Sequence, residues 1–367
     1  MSVRRVTPTR QPIKTKGRGA LSNREGRFAR HTTELDAETA CTDALDGEAP
    51  AAPRTELHVD NARTIIARNA SPDLPFSQSI NPYRGCEHGC VYCYARTTHA
   101  YLDLSPGRDF ETQIYYKPNA VELLAAELAR PDYLVSPIAL GTNTDPYQPV
   151  ERRLGLTRGI LELLLELRHP LTIVTKSGAV LRDLDLLEKL AAHGLAAVYV
   201  SVTTLDDELK RRLEPRTAGP KERLHVLREL SAHGVPTGVM AAPMIPALND
   251  HELEAILERA AECGARSAGY VLLRLPHEVK ALFEEWLREH YPDRAEHVLS
   301  LIRQMHGGAL YDSTFHNRQR GAGPFAQLLR ARFERARRTH GLDRETSLNT
   351  SLFRRPAAPG GQLGLWS

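Results

Sequence analysis

Between residues 110 and 290 two kinds of apolar pattern alternate, and that alternation restricts the fold more than any other feature of the chain. One kind is a helical stripe. Val121, Leu124, Ala125 and Leu128 fall at i, i+3, i+4 and i+7, and so do Ile160, Leu163, Leu164 and Leu167. The spacing returns at Leu253, Ile256, Leu257 and Ala260, and again at Val279, Leu282, Phe283 and Trp286. Each set places one apolar face on a helix. Less regular helices are expected near 180–192 and 221–232. The other kind is a short, nearly unbroken run: PIAL (137–140), LTIVT (171–175), AAVYVSV (196–202), TGVMAAPMI (237–245) and AGYVLL (268–273). Runs that do not alternate suit strands buried on both faces, as in a parallel sheet covered by helices. Strand and helix follow one another at the length of a βα unit. The expectation is an α/β protein, either a barrel or a doubly wound sheet.

Polar residues gather directly after these strands. Thr142, Asn143, Thr144 and Asp145 follow the first, and Lys176 and Ser177 the second. Ser201, Thr203 and Thr204 close the third, Asn249 and Asp250 follow the fourth, and Arg274 the fifth. The carboxyl ends of parallel strands are where such sheets keep their sites. The plainer alternative is that each loop simply caps the next helix, and both readings stay open here.

Outside this core the pattern weakens. Residues 1–75 are rich in Pro, Gly, Thr and charge with no sustained apolar period, and read as an extended or disordered arm. Residues 1–30 carry nine Lys or Arg against Glu25 alone, while residues 31–60 carry eight acids against Arg54. Such blocks suit a solvated segment. Residues 76–292 read as the core. Val298, Leu301, Ile302 and Met305, then Phe325, Leu328, Leu329 and Phe333, predict helices in a C-terminal extension over 293–340, followed by a flexible tail over 341–367. The net charge of +3 excludes a polyanion binder by bulk charge. Pro8, Pro12, Gly17 and Gly19 argue against a targeting helix at the start, and the uncharged stretch 234–249 is too short and Pro-broken to span a bilayer. A soluble protein is expected.

Five cysteines are too few for a disulfide framework in a chain of 367 residues. Three of them lie in NPYRGCEHGCVYCYAR (81–96): Cys86, Cys90 and Cys93, with spacing C-x3-C-x2-C. Closely spaced thiolates on one loop hold iron–sulfur clusters. Cys41 and Cys263 have no companion spacing, so one iron of a cubane would be left to a ligand from outside the protein, and an open position is what makes a metal centre catalytic. The rival is a Cys3His zinc site using His88, in a nucleic-acid-binding protein without catalysis.

CEHGCVYC, with Tyr92 before the third cysteine, resembles the radical SAM motif C-x3-C-x-aromatic-C. Within that superfamily the chain resembles the branch that contains spore photoproduct lyase and its uncharacterised bacterial relatives. CVYCYARTTH (90–99), TDPYQPVE (144–151), TKS (175–177) and SVTTLDDELKRRLEPR (201–216) carry that likeness, over about residues 75–320. The resemblance implies a partial (β/α)6 TIM-like barrel with the cluster loop after its first strand. It implies that Cys86, Cys90 and Cys93 bind three irons of a [4Fe–4S] cluster, and that S-adenosyl-L-methionine chelates the fourth. One electron would then cleave the sulfonium to a 5′-deoxyadenosyl radical that abstracts hydrogen from a substrate the sequence does not identify. It implies further that Tyr92 lies beside the adenine and that Gly141, Thr142, Asn143, Thr144 and Asp145 lie near the methionyl amino group. Lys176, Ser177, Ser201 and Thr203 would face the cofactor, with Arg216 a carboxylate partner.

One departure matters. Spore photoproduct lyases carry a hydrogen-donating cysteine in this strand-end region, and ALGTNTDP (139–146) has none. Tyr94 keeps two readings, as a catalytic hydrogen-atom relay or as packing. An electron donor such as flavodoxin or ferredoxin is implied, and an oxygen-sensitive cluster implies a cytoplasmic, reducing setting. The basic arm and the Arg-rich stretch 318–338 could engage the phosphates of nucleic acid or remain solvated.

Overall fold

A computed structural model describes residues 17–29, 54–344 and 346–356. Among these residues ten strands form two sheets: β1 (Glu56–Val59), β2 (Ile66–Arg68), β3 (Gln78–Ile80), β4 (Tyr83–Arg84), β5 (Gln113–Tyr116), β6 (Ile138–Leu140), β7 (Leu171–Thr175), β8 (Ala196–Ser201), β9 (Thr237–Met244) and β10 (Ser267–Leu272). The larger sheet runs β10-β9-β8-β7-β6-β3-β2. Its six strands β3 and β6–β10 pair in parallel and in chain order, with β2 antiparallel on the edge beside β3. This is the partial (β/α)6 barrel that the resemblance implies. β6 is buried at every position and β8 at all but one, as expected for strands covered on both faces.

Helices Ala120–Ala129, Leu156–Glu166, Leu184–Ala192, Pro220–Ala232 and Leu253–Glu262 cross between successive parallel strands. The stripe predicted for the last of them is buried whole, at Leu253, Ile256, Leu257 and Ala260, while on the second Ile160 and Leu164 are buried as expected, Leu161 is buried in addition and Leu163 is only half-buried. Helices Val279–His290, Pro292–Met305 and Gly323–Thr339 follow. The last buries Ala326, Leu329, Phe333 and Ala336 and leaves Leu328 exposed, so its stripe is turned from the expected one. Among the described residues no helix is long and apolar enough to cross a membrane.

Two segments expected to be loose are packed instead. In the N-terminal stretch assigned to an arm, Gly19, Ala20 and Leu21 are buried against the cysteine loop, and residues 56–68 supply β1 and β2. The rest of the expected arm, 1–16 and 30–53, lies outside the described residues. At the other end, residues 342–344 and 346–355 run beneath the barrel instead of forming a free tail; residues 345 and 357–367 of the expected tail lie outside the described residues. The Leu342 carbonyl accepts from the Ala268 N–H, the Asn349 N–H donates to Gly194 O, and the Arg354 N–H donates to Leu167 O. These partners stand at the amino ends of β10, β8 and β7. Phe353 packs on His169 and Tyr133 on the approach to β7 and β6. An open half-barrel cannot pair its last strand with its first, and this strap covers the end opposite the site.

Candidate active site

The cysteines sit on the loop that leaves β3 and β4, at the carboxyl end of the first parallel strand. Cys86 and Cys90 are buried and Cys93 half-buried, and all three thiols are free. Backbone geometry sets the loop. Gly89 adopts φ +69°, in the left-handed region, and a Cβ on Gly19 would collide with the Gly89 carbonyl oxygen. Cys86 N–H donates to Phe110 O at 2.9 Å and Val91 N–H to Leu213 O at 3.1 Å.

Buried polar side chains then pin the loop. Arg96, fully buried, donates to Cys90 O (2.9 Å), Pro106 O (3.1 Å) and Gly107 O (2.7 Å), and pairs with Glu111 at 2.5 Å. Glu111 also accepts from the N–H groups of Gly19 (3.0 Å) and Ala20 (2.8 Å). Gln148, equally buried, accepts from Glu87 N–H at 2.9 Å and donates to Gly85 O at 3.2 Å.

Two buried carboxylates face the loop. Asp145, at the end of β6, lies 3.4 Å from His88 Nδ1 and accepts from Thr175 Oγ1 and from Lys176 N–H, both at 2.8 Å. Burial alone would raise its carboxyl, but the His88 imidazolium and the backbone N–H groups of Lys176 and Tyr147 hold it at about 2. Against the pull of burial, Asp145 and then Cys86 lift His88 to about 10. Glu214, fully buried, accepts from the Tyr92 hydroxyl, from Thr203 Oγ1 at 2.7 Å and from Arg223. Burial again opposes ionisation, and Arg223 and then Lys176 outweigh it, so this carboxyl is also held at about 2.

The structure brings most of the expected residues together. Tyr92 and Thr203 meet on Glu214. Asn81 at the end of β3 accepts from the N–H groups of Asn143 (3.0 Å) and Thr144 (3.3 Å) and donates to Thr142 Oγ1 (3.3 Å), which orders the loop from Gly141 to Asp145. Lys176 Nζ stands 6.0 Å from the Tyr92 ring centroid. Arg216 pairs with Glu87 of the cysteine loop at 3.3 Å, and its N–H donates to His88 O. Tyr94 is 40% exposed, its hydroxyl donates to Thr142 O, and Arg274 lies over its ring at 4.8 Å. Ser177 takes the plainer role, capping its helix through Ala179 N–H at 3.2 Å. Ser201 is buried, and its carbonyl accepts from Arg223.

Sequence reasoning passed over Arg96, Glu111, Gln148, Glu214 and Arg223. Glu214 stands two residues before Arg216, inside a motif already singled out, and burial beside a tyrosine is what no spacing reveals. His88, a candidate zinc ligand by sequence, faces Asp145. Among the described residues no three His, Cys, Asp or Glu side chains gather tightly enough to ligate one ion. Closely spaced thiolates on one loop are the donors that iron–sulfur clusters take. Burial, and then neighbouring thiols and, for Cys90, Glu214, push the Cys90 and Cys93 thiols above their ordinary value. Iron would reverse that by deprotonating them. The donor set fits an iron–sulfur cluster.

The model of the family described as the Radical SAM superfamily matches residues 80–260. The uncharacterized protein Rv2578c of Mycobacterium tuberculosis is 40% identical over 233 residues, 63% of this chain and 68% of that protein. The uncharacterized protein MJ0683 of Methanocaldococcus jannaschii is 28% identical over 217 residues, 59% of this chain and 77% of that protein. Among solved structures, spore photoproduct lyase complexed with dinucleoside spore photoproduct superposes with a TM-score of 0.55 at 16% identity, covering 77% of this chain and 79% of that one. A cysteine-to-serine mutant of the same lyase gives 0.55 at 16% identity, with 86% of each chain covered. At such identity the likeness is one of fold.

Proposed function

Because the chain belongs to the radical SAM superfamily and is an enzyme of that class, we propose that Cys86, Cys90 and Cys93 hold three irons of a [4Fe–4S] cluster and leave the fourth to S-adenosylmethionine. The observation that carries this reading is the loop itself. Three free thiols stand on one hydrogen-bonded, mostly buried turn at the carboxyl end of a parallel half-barrel, with no fourth cysteine beside them among the described residues. When bound, the cluster would supply the electron that cleaves the sulfonium and releases a 5′-deoxyadenosyl radical.

The chain's own part is to bind, orient and exclude. Lys176 and Arg216 are cations beside the loop, suited to the cofactor's carboxylate. The segment Gly141–Asp145, ordered by Asn81, would receive its amino group, and the Tyr92 ring, fixed through Glu214, would flank the adenine. Ser177 and Ser201 would complete that wall from the next two strand ends, beside Thr203. Tyr94, partly exposed beneath Arg274, would pass a hydrogen atom to substrate on the open side. Residues 76–292 would be the catalytic core and 293–340 its helical extension.

Nucleic acid is the substrate class this surface favours. Arg27 lies over exposed Phe28 at 4.7 Å and over exposed Tyr101 at 5.1 Å, and Arg318 lies over exposed Phe315 at 4.9 Å. Stacked aromatic and guanidinium planes suit unpaired bases, and the similar fold of spore photoproduct lyase is seen with a dinucleoside photoproduct. A flavodoxin or ferredoxin in a reducing cytoplasm would deliver the electron.

The test is anaerobic reconstitution with iron and sulfide, followed by dithionite and S-adenosylmethionine. A brown protein that forms 5′-deoxyadenosine, and Ala substitutions at Cys86, Cys90 or Cys93 that abolish it, support the reading. Colourless protein with stoichiometric zinc would overturn it. Deuterium carried into 5′-deoxyadenosine from labelled, irradiated DNA would identify the substrate.

A further inference from the structure

A cavity of about 330 Å³ opens beside the cysteine loop, where the larger sheet ends at β2. Its wall includes Thr64, Asn81, Arg84, Thr98, Lys117 and Asn143, and among the described residues no carboxylate lines it. Asn81 and Asn143 belong to the strand-end cluster described above, and Thr98 sits one turn beyond Tyr94. The cavity therefore adjoins the open side of the site without being part of the cysteine loop's own contacts.

Its charge is unbalanced. Lys117 is nearly buried; its Nζ donates to Asn81 O at 2.9 Å and approaches Asp60 Oδ2 at 3.1 Å. Those two contacts use two of the three ammonium donors. Arg84 spends its Nε on the same Asp60 oxygen at 2.8 Å, while its side chain stays 42% exposed. One carboxylate behind the wall thus answers two cations that line it. The remaining lining groups are neutral amides, hydroxyls and apolar carbons. An excess cation in a partly desolvated hollow calls for an anion, and a guanidinium fork beside an ammonium matches the oxygens of a phosphate. The volume is in the lower range of small-ligand sites.

We propose that this cavity is a phosphate subsite, in which Arg84 and Lys117 hold a phosphoryl or phosphodiester group of the substrate beside the cysteine loop. The assignment rests on the catalytic reading above only in giving that group to the substrate; the binding itself is independent of the chemistry. Phosphate could reach the cavity from a nucleic acid backbone or from a small phosphorylated molecule, and both share the same recognition.

The experiment uses the full-length, anaerobically reconstituted protein at constant chloride, so that screening is held fixed. Inorganic phosphate is titrated and followed by calorimetry or 31P line width. Wild type should bind it, and Arg84→Gln should weaken binding about tenfold, the loss expected for one charge-assisted contact. Lys117→Met should do the same. Because Lys117 also supports Asn81, circular dichroism checks that variant, and the half-exposed Arg84 decides the question if Lys117→Met does not fold. Competition by oligothymidylate supports the subsite and assigns it to nucleic acid; competition by glucose 6-phosphate alone supports it and assigns it to a small phosphomonoester. Equal phosphate affinity in Arg84→Gln and wild type overturns the proposal. Failure to form 5′-deoxyadenosine while phosphate binding persists would fault the cysteine assignment and leave this site standing.

Discussion

Arg96 and Glu111 meet at 2.5 Å with neither side chain reaching solvent. Between them they hold three backbone carbonyls, one of them Cys90's, and the two N–H groups of Gly19 and Ala20. The pair joins the N-terminal stretch to the underside of the cysteine loop. A buried ion pair is often replaceable by apolar residues of similar size. This one is not a simple pair, since removing it strips hydrogen bonds from five backbone groups.

Arg96→Met should therefore cost about 3 to 5 kcal/mol, the penalty of leaving a buried carboxylate unpaired. Arg96→Met combined with Glu111→Leu should recover little of that loss, because these carbonyls and N–H groups still lack their side-chain partners. Chemical denaturation of wild type, both single variants and the double variant measures the cycle. Full recovery in the double variant would show that the pair does no more than neutralise itself.

Deleting residues 341–367 should lower stability by roughly 3 to 5 kcal/mol. The deletion exposes the face covered by Leu342 and Phe353 and strips strap hydrogen bonds from Ala268, Gly194 and Leu167. Thermal unfolding of the truncated and full chains measures this, and Leu342→Ala should reproduce part of the loss. An unchanged midpoint would mean that the strap merely rests on the barrel.

The strands β6 to β10 and the cysteine loop were legible because each carries a local signal, whereas β1 and β2 lie in the stretch read as an arm. LTIVT is β7 to the residue, and C-x3-C-x2-C needs no partner elsewhere to be read. The two straps were not. Residues 17–29 place only Ala20 and Leu21 among the buried apolar groups, and backbone N–H groups on a distant carboxylate do much of the holding. The C-terminal strap docks one side chain at a time, Leu342 and then Phe353, so no period forms. Arg96 lies among polar residues in ARTTH and reads as solvent-facing; only the fold shows Glu111 waiting for it.

His99 should make stability depend on pH. It is fully buried, its Nε2 faces Gln113 O at 3.0 Å, and its Nδ1 has no partner. The neutral ring thus carries its proton on Nε2, and a second proton on Nδ1 would be buried without an acceptor. Burial lowers its pKa to about 4, while the unfolded chain keeps the ordinary value near 6.5. Above pH 6.5 both states are neutral and the group contributes no slope. As pH falls from 6.5 towards 4 the unfolded state takes up a proton that the fold refuses, so stability drops, by roughly 2 kcal/mol at pH 5. Below 4 the slope vanishes. His99→Gln keeps a donor near the Nε2 position and cannot titrate, so its stability should fall less between pH 7 and 5 than that of wild type. Parallel denaturation curves at the two pH values give the difference, and identical slopes would remove His99 from the account.

Glu214 should separate fold from cofactor orientation. Its carboxylate balances Arg223 on one side and fixes the Tyr92 hydroxyl on the other. Glu214→Gln keeps the shape but leaves the Arg223 guanidinium buried without a counter-charge, a loss of about 3 to 5 kcal/mol. Tyr92→Phe removes only one of the donors to Glu214, while Thr203 and Arg223 stay, so it should cost about 1 kcal/mol. If the ring flanks the adenine, freeing it loosens cofactor binding before it touches chemistry. Tyr92→Phe should then raise KM for S-adenosylmethionine severalfold while the rate of 5′-deoxyadenosine formation at saturation changes little and the iron content stays that of wild type. A fall in rate at saturation with unchanged KM would instead place the phenol in the reaction, and unchanged kinetics would leave Tyr92 a packing residue.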